Sequence, residues 1–215
     1  KLQGEFAELK SRYQQLSTNS TEDNANLNAQ LDEVRKDLAL REKRVKLLEK
    51  KIKERDSVMT SLRDNIQKAL IGLNNNGLEV HIKEGKVYVS LSNKLLFKSG
   101  STDIDKKGQE ALLFIAGVLN TQDDITITIE GHTDNQQVRG NQRFSDNWDL
   151  SVLRSTEVAR YLTTLGGVDA KRIIAAGRSE YFPAISGDNN EARAANRRTE
   201  IIITPRLDAI MEAIK

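Results

Sequence analysis

The chain has no cysteine, which removes disulfides, thiolate catalysis and Cys-ligated metals together. Its only prolines are Pro183 and Pro205, so the first 182 residues contain nothing that would break a helix in that way. Aromatics make up 5% of the residues and charged residues 30%. That is lean for one globular core of 215 residues, so part of the chain must be solvated over most of its surface. The net charge is +2, and no basic run is interleaved with aromatics, which argues against a nucleic-acid partner. No apolar run reaches the length of a membrane span. The chain begins at Lys1 rather than Met, so any signal peptide, lipidated Cys or membrane helix would lie upstream. The only histidines, His81 and His132, are far apart, and no acid–base pair or metal triad can be assembled from motif spacing. This points to a protein that is not an enzyme, with no metal and no cofactor, and to His132 as a hydrogen-bonding core or loop residue.

What the chain does have is helical periodicity. Leu2, Phe6, Leu9, Tyr13 and Leu16 form one register, and Leu27, Leu31, Val34, Leu38, Val45, Leu48, Ile52, Met59, Leu62 and Ile66 a second. Steps of three and four alternate, as in a heptad repeat, with Arg41 and Arg55 at core-type positions. Between the registers, residues 17–26 are poor helix formers without an apolar core residue, which predicts a break or stutter within 18–26. Two readings follow. The helix folds back on its own domain, or it pairs with a second chain as a coiled coil, which the single narrow stripe favours. The expected organisation is therefore a coiled-coil helix over 1–73, a hinge at 74–77 and a domain over 78–215.

In the domain, Leu78, Val80 and Ile82 and then Val87, Val89 and Leu91 alternate around Glu84-Gly85-Lys86, a β-hairpin pattern. Leu95 to Phe97 reads as a short strand and Asp105 to Asn120 as a helix. Asp103, Asp105 and Gly108 resemble the start of a calcium loop, but Lys107 and Phe114 stand where oxygen ligands are needed, so helix capping is the better account. Ile125, Ile127 and Ile129 alternate with Thr126 and Thr128 in a strand that Gly131 ends. A helix follows, capped by Asp149 or a close neighbour, on Leu150, Leu153, Val158, Tyr161, Leu162 and Leu165. Arg172 to Ala176 and Thr199 to Thr204 read as strands, Glu191 to Asn196 as a short helix, and residues 207–214 as a small amphipathic helix. The fold class is α+β, a βαβαβ-type mixed sheet with helices on one side.

Asp134 lies on the loop after the central strand, and Arg154 in the first turns of the next helix, beside its apolar face. Such a pair can grip a zwitterion, the carboxylate taking an ammonium and the guanidinium forking onto a carboxylate. The ordinary alternatives are a turn cap for Asp134 and a surface ion pair for Arg154 with an acid such as Glu157.

EGHTDN, NWDLS-x-x-R, Gly177, Pro183 and Ala195-Asn196-Arg197-Arg198 with Glu200 occur in that order and resemble the OmpA-like C-terminal domain family. NWDLS is most similar to its MotB-like branch. The resemblance covers roughly Leu78 to Pro205. It implies binding of peptidoglycan through the diaminopimelate of peptide stems, with Asp134 and Arg154 as the clamp. It further implies that Arg197 faces the ligand and Arg198 is structural, and that Thr133, Asn135, Asn147 and Leu150 shape the pocket. Ser99 and Gly100 would line one side through backbone groups. Trp148 itself reads as a packing anchor in preference to a stacking platform. The resemblance and the heptad stripe together lead us to expect a periplasmic tether, held to the outer membrane by a lipoprotein-type anchor or to the inner membrane; the stripe itself predicts self-association as a coiled coil, a homodimer by default, with the mixed core residues leaving a trimer open. Alternatives are a MotB-like stator or secretion-machine component, a peptidoglycan hydrolase, and a coiled-coil scaffold whose domain binds another protein.

Overall fold

The computed structural model describes residues 1–71, 77–98, 101–138 and 143–206. They divide into two units, one containing residues 1–51 and the other beginning at Ile52. The expected C-terminal helix at 207–214 and most of the hinge at 74–77 lie outside the described residues.

The first element is a single helix, α1 (Leu2–Ala69), without a break at 18–26. There the Thr18 and Thr21 hydroxyls donate to the carbonyls of Gln14 and Ser17, four residues back, so these weak helix formers satisfy themselves inside the helix. Within residues 1–51 the heptad residues are exposed, from Leu2, Phe6 and Leu9 to Leu31, Val34, Leu38 and Val45.

In the second unit the same stripe has a different fate. Met59, Leu62 and Ile66 of α1, with Leu70 just after it, are buried in the domain core. The fold-back reading thus applies to these last turns. Arg55, at a core-type position, pairs with its neighbour Asp56 and approaches Gly85 in the hairpin turn.

The sheet has five strands in the order β1-β2-β5-β3-β4: β1 (Leu78–Lys83), β2 (Lys86–Ser92), β3 (Ile125–Gly131), β4 (Ile173–Gly177) and β5 (Arg198–Pro205). All neighbours are antiparallel except β3 and β4. β1 and β2 are joined through Glu84 and Gly85, both at positive φ, the two-residue turn whose twist matches the strands. One sheet face carries Val87, Val89, Leu91, Ile127, Ile129, Ile201 and Ile203. Against it pack the end of α1, α3 (Lys106–Leu119) through Leu112, Ile115 and Leu119, and α4 (Asn147–Thr164) through Val158 and Leu162. The mixed sheet with helices on one side is as expected.

The short strand expected at Leu95 to Phe97 is instead α2 (Asn93–Leu96), a helical turn started by the Ser92 side chain, which accepts from the Leu95 N–H. Phe97 keeps only a single bridge, to Ile104. Asp105 occupies the N-cap of α3 but makes no side-chain cap bond.

Two glycines set how closely α4 lies on the sheet. A Cβ at Gly131, the end of β3, would collide with the Ser151 carbonyl, and one at Gly177, the end of β4, with the Ser151 hydroxyl. Only bare backbone permits this approach, and it brings the loop after β3 against the first turns of α4.

The opposite sheet face is polar. It opens on a cavity of about 540 Å³ that includes Tyr88, Thr128, Glu130, His132, Arg178, Arg198 and Glu200. His132 is buried at its edge, with Nε2 3.8 Å from carboxylate oxygens of both Glu130 and Glu200. Neither ring nitrogen has a hydrogen-bond partner, so His132 is a core residue but not the hydrogen-bonding one expected. Arg178 pairs with Glu130, and Arg198 with Glu200. Burial, and then the charges of Arg198 and Arg178, push the His132 imidazole down to about 3.

Two outcomes follow. Ile66→Ala should destabilise the folded domain by about 2–5 kcal/mol, whereas Leu31→Ala should leave its denaturation midpoint unchanged. Equal effects in urea melts would contradict the division of α1. As for pH, His132 is neutral in both states above about 6.5, its unfolded value. Between 6.5 and 3 the unfolded chain takes up a proton that the folded one refuses. Stability should therefore fall on acidification by up to about 1.4 kcal/mol per pH unit from this group. His132→Phe should flatten that slope, and an unchanged slope would show that His132 does not carry it.

Candidate functional site

Asp134 sits on a loop held from several sides. The His132 N–H donates to the Arg198 carbonyl and the Thr133 N–H to the Ser179 carbonyl, each at 2.9 Å. Asn93, itself buried, donates from Nδ2 to the His132 carbonyl. The Asp134 side chain is 9% exposed. Its Oδ1 accepts from the Gln136 N–H at 3.3 Å, an Asx-type turn bond. Its Oδ2 accepts from Arg197 Nη1 at 2.5 Å. The turn-cap role and a charge-pairing role thus coexist in one carboxylate. Arg197 follows α5 (Asn190–Asn196) as its C-terminal cap residue, and its side chain remains 43% exposed.

Arg154 arrives from α4. The cap of that helix is Asp146, whose side chain accepts from the Asp149 N–H, while Asp149 Oδ2 accepts from the Ser145 N–H. This reciprocal pair pins the first turn. The sequence expectation placed Arg154 beside the apolar face; the structure buries it, at 8% exposed. The close approach of α4 to Gly131 and Gly177 accounts for that burial.

The Arg154 guanidinium lies over the Phe97 ring at 5.1 Å and donates from Nε and Nη2 to the Ser101 carbonyl at 3.4 and 3.2 Å. No carboxylate of the described residues forms an ion pair with it. Glu157, the ordinary surface partner, pairs with Arg160 instead. Burial first, and then the positive charge of Arg197, pull Arg154 down to about 10, with Asp134 acting in the opposite direction. Asp134, Arg154 and Arg197 therefore share one electrostatic neighbourhood. Such a set can hold a small molecule carrying both an ammonium and a carboxylate.

The other expected residues divide. Asn147 Nδ2 donates to the carbonyls of Asp134 and Gln136 and to Glu180 Oε2 at 3.3, 3.0 and 2.6 Å, so it ties α4 to the Asp134 loop. Thr133 is buried with an unpartnered Oγ1, and Leu150 is buried on α4. Asn135 faces outward and donates to Asp188, a bond that, with Arg193, lowers the Asp188 carboxyl. Arg198 bonds Glu200 and the Phe182 carbonyl, the structural role that the resemblance implies. Ser99 and Gly100 lie outside the described residues.

Three contributors escaped sequence reading. Phe97 and Ser101 hold the guanidinium, and they flank Ser99 and Gly100, the two residues expected to line that side. Glu180 orients Asn147 from the long loop after β4, which carried no motif pointing to it. Among the described residues, Glu130, His132 and Glu200 bring ligand atoms within 4.8 Å of one another, but both carboxylates are engaged by guanidiniums.

Residues 96–197 match the model of the OmpA family. Motility protein B of Bacillus subtilis is 33% identical over 129 residues, 60% of this chain and 49% of that protein. The chain thus spans about half the length of that relative. Among solved structures, a putative MotB like protein from Desulfovibrio vulgaris superposes with a TM-score of 0.65 at 25% identity, covering 72% of this chain and 95% of that one. The cell wall anchor of the T6SS from Pseudomonas aeruginosa gives 0.60 at 31% identity, covering 67% and 99%. A matching family model, a motility-protein relative and superposable MotB-like and cell-wall-anchor structures converge on one fold: over residues 96–197 this chain is a member of the OmpA family, in its MotB-like branch.

Proposed function

We propose that the domain is a non-catalytic peptidoglycan-binding module that clamps the diaminopimelate of uncrosslinked peptide stems. Asp134 takes the ammonium, Arg154 forks onto the free carboxylate, and Arg197 shares the Asp134 side. Thr133, Asn135, Asn147 and Leu150 shape the pocket.

The observation that carries this reading is Arg154. Arg154 is 8% exposed, and among the described residues its guanidinium is met by a backbone carbonyl and a ring face, so it bears a desolvation penalty that a ligand carboxylate would offset. A hydrolase would need a general acid and a general base in reach of each other, and of the three charged groups here only Asp134 is a carboxylate.

One such ligand is small, and charge-assisted hydrogen bonds give about 1.5–3 kcal/mol each before ordering costs. A single domain should thus bind on the order of micromolar to millimolar. The exposed stripe of residues 2–45 offers the remedy. Paired with a second copy as a coiled coil, it would tether two domains to a repeating wall, and avidity would raise holding strength by about a hundredfold or more. A 68-residue helix is about 100 Å long, suited to a spacer from a periplasmic membrane anchor upstream, in the outer or inner membrane. The likeness to a secretion-system cell wall anchor favours, as a second reading, a stator or secretion-machine component that uses the same clamp.

Two measurements test these assignments. With calorimetry on soluble stem peptides, Arg154→Leu should weaken a diaminopimelate stem tenfold or more. It should not alter a lysine stem, which lacks the second carboxylate. Asp134→Asn should weaken both stems. Unchanged affinity for the diaminopimelate stem in both variants removes the clamp. In sedimentation equilibrium the chain should have the mass of a dimer, and Leu31→Lys with Leu38→Lys should reduce it to a monomer. A wild-type monomer at high concentration would remove the coiled-coil reading.

A further inference from the structure

Next to the clamp lies a second concave feature, a cleft of about 340 Å³ whose lining includes Asp146, Asn147, Trp148, Ser179, Glu180 and Tyr181. Its rim carries two large aromatics that packing does not hide. Trp148 is 48% and Tyr181 65% exposed, and their rings stack at 5.6 Å with a tilt of 31°. The packing anchor expected of Trp148 is therefore instead an open ring face. The walls are hydroxyl, amide and carboxylate. Asn147, 6% exposed, spends its Nδ2 on three acceptors and leaves Oδ1 without a partner.

Each part narrows the ligand class. An exposed aromatic pair wants an apolar face to cover it. Carboxylates and an empty amide acceptor want hydroxyl or N–H donors. Asp146 and Glu180 oppose a phosphate or any other anion in the cleft. A molecule apolar on one face and rich in O–H and N–H donors around its edge is a pyranose, and an N-acetyl group adds an amide donor for an oxygen such as Asn147 Oδ1.

Position agrees with chemistry. Asn147 bonds the Asp134 carbonyl on one side and Glu180 of the cleft on the other, so clamp and cleft share a wall. In a peptide stem two residues separate the diamino acid from the sugar, about 10 Å when extended. We infer that this cleft is a subsite for an N-acetylated sugar of the glycan strand, with Trp148 and Tyr181 as the stacking surface and Asn147 and Glu180 as hydrogen-bonding groups. The placement of the sugar rests on the clamp holding the stem.

Trp148 is the single tryptophan of the chain, so its fluorescence reads the cleft directly. The full chain is titrated with three ligands: the N-acetylglucosamine–N-acetylmuramic acid disaccharide with its lactyl carboxyl capped as the neutral methylamide, the free diaminopimelate stem, and the disaccharide and stem joined through that carboxyl. The joined ligand should bind about tenfold more tightly than the free stem, and Trp148 emission should respond to both sugar-bearing ligands. Tyr181→Ala should abolish the gain while leaving free-stem affinity unchanged. Equal affinity for stem and joined ligand overturns the inference, as does a gain that survives Tyr181→Ala, or a Trp148 response to the stem but not to the disaccharide. If the disaccharide moves Trp148 while the free stem fails to bind, the clamp falls and the sugar subsite stands. If no ligand binds, both fall.

Discussion

The organising constraint of this domain is a buried positive charge that no carboxylate of the described residues pairs with. Arg154 is removed from water by the packing of α4 on the sheet, and what it meets is the ring of Phe97 and the carbonyl of Ser101. Both are electron-rich, neither is an anion, and the nearby cation Arg197 makes the deficit larger. A folded protein tolerates such a group only when the surrounding structure over-determines it. Here that structure is the contact of Gly131 and Gly177 with Ser151, reinforced by the Asp146–Asp149 cap and by the three bonds of Asn147. The glycine contacts and the Asn147 bonds hold the first turns of α4 against the strand ends and the loop after β3, the cap fixes the start of the helix itself, and none of them touches the guanidinium.

That division of labour explains what was legible in the sequence. Alternation in Ile125–Gly131 and Val87–Leu91 follows from a sheet covered on one face, whereas the last strand was legible as a continuous apolar run, Ile201 to Ile203. Asp134 and Arg154 were legible because they stand in the EGHTDN and NWDLS-x-x-R blocks that resemble the OmpA-like family. Their burial was not, because it depends on a close backbone approach that two isolated glycines announce only in three dimensions. Phe97 was read as part of a strand because its neighbours are apolar; the Ser92 cap turned Asn93–Leu96 into a helical turn and left the ring to meet Arg154. Trp148 followed the usual rule that tryptophan packs inward, and the rule failed where Tyr181 offered it a partner at the surface.

The long helix illustrates how one pattern serves two ends. A heptad repeat records only which face is apolar, not what covers it. From Met59 onward the cover is the domain's own sheet and helices. Up to Val45 the same repeat stands exposed, and its exposure is what makes self-association the economical reading. Glycine and asparagine near residue 74 drew attention to a boundary there, yet the apolar stripe passes into the core well before it.

The central claim is that Arg154 and Asp134 close on the two ends of one zwitterion. A crystal structure of the domain soaked with meso-diaminopimelate tests it most directly. The account predicts one carboxylate on the Arg154 guanidinium at about 2.8 Å and the adjoining ammonium on Asp134 at hydrogen-bond distance. Diaminopimelate bound elsewhere, or a full soak that leaves Arg154 bonded only to the Ser101 carbonyl, would contradict it.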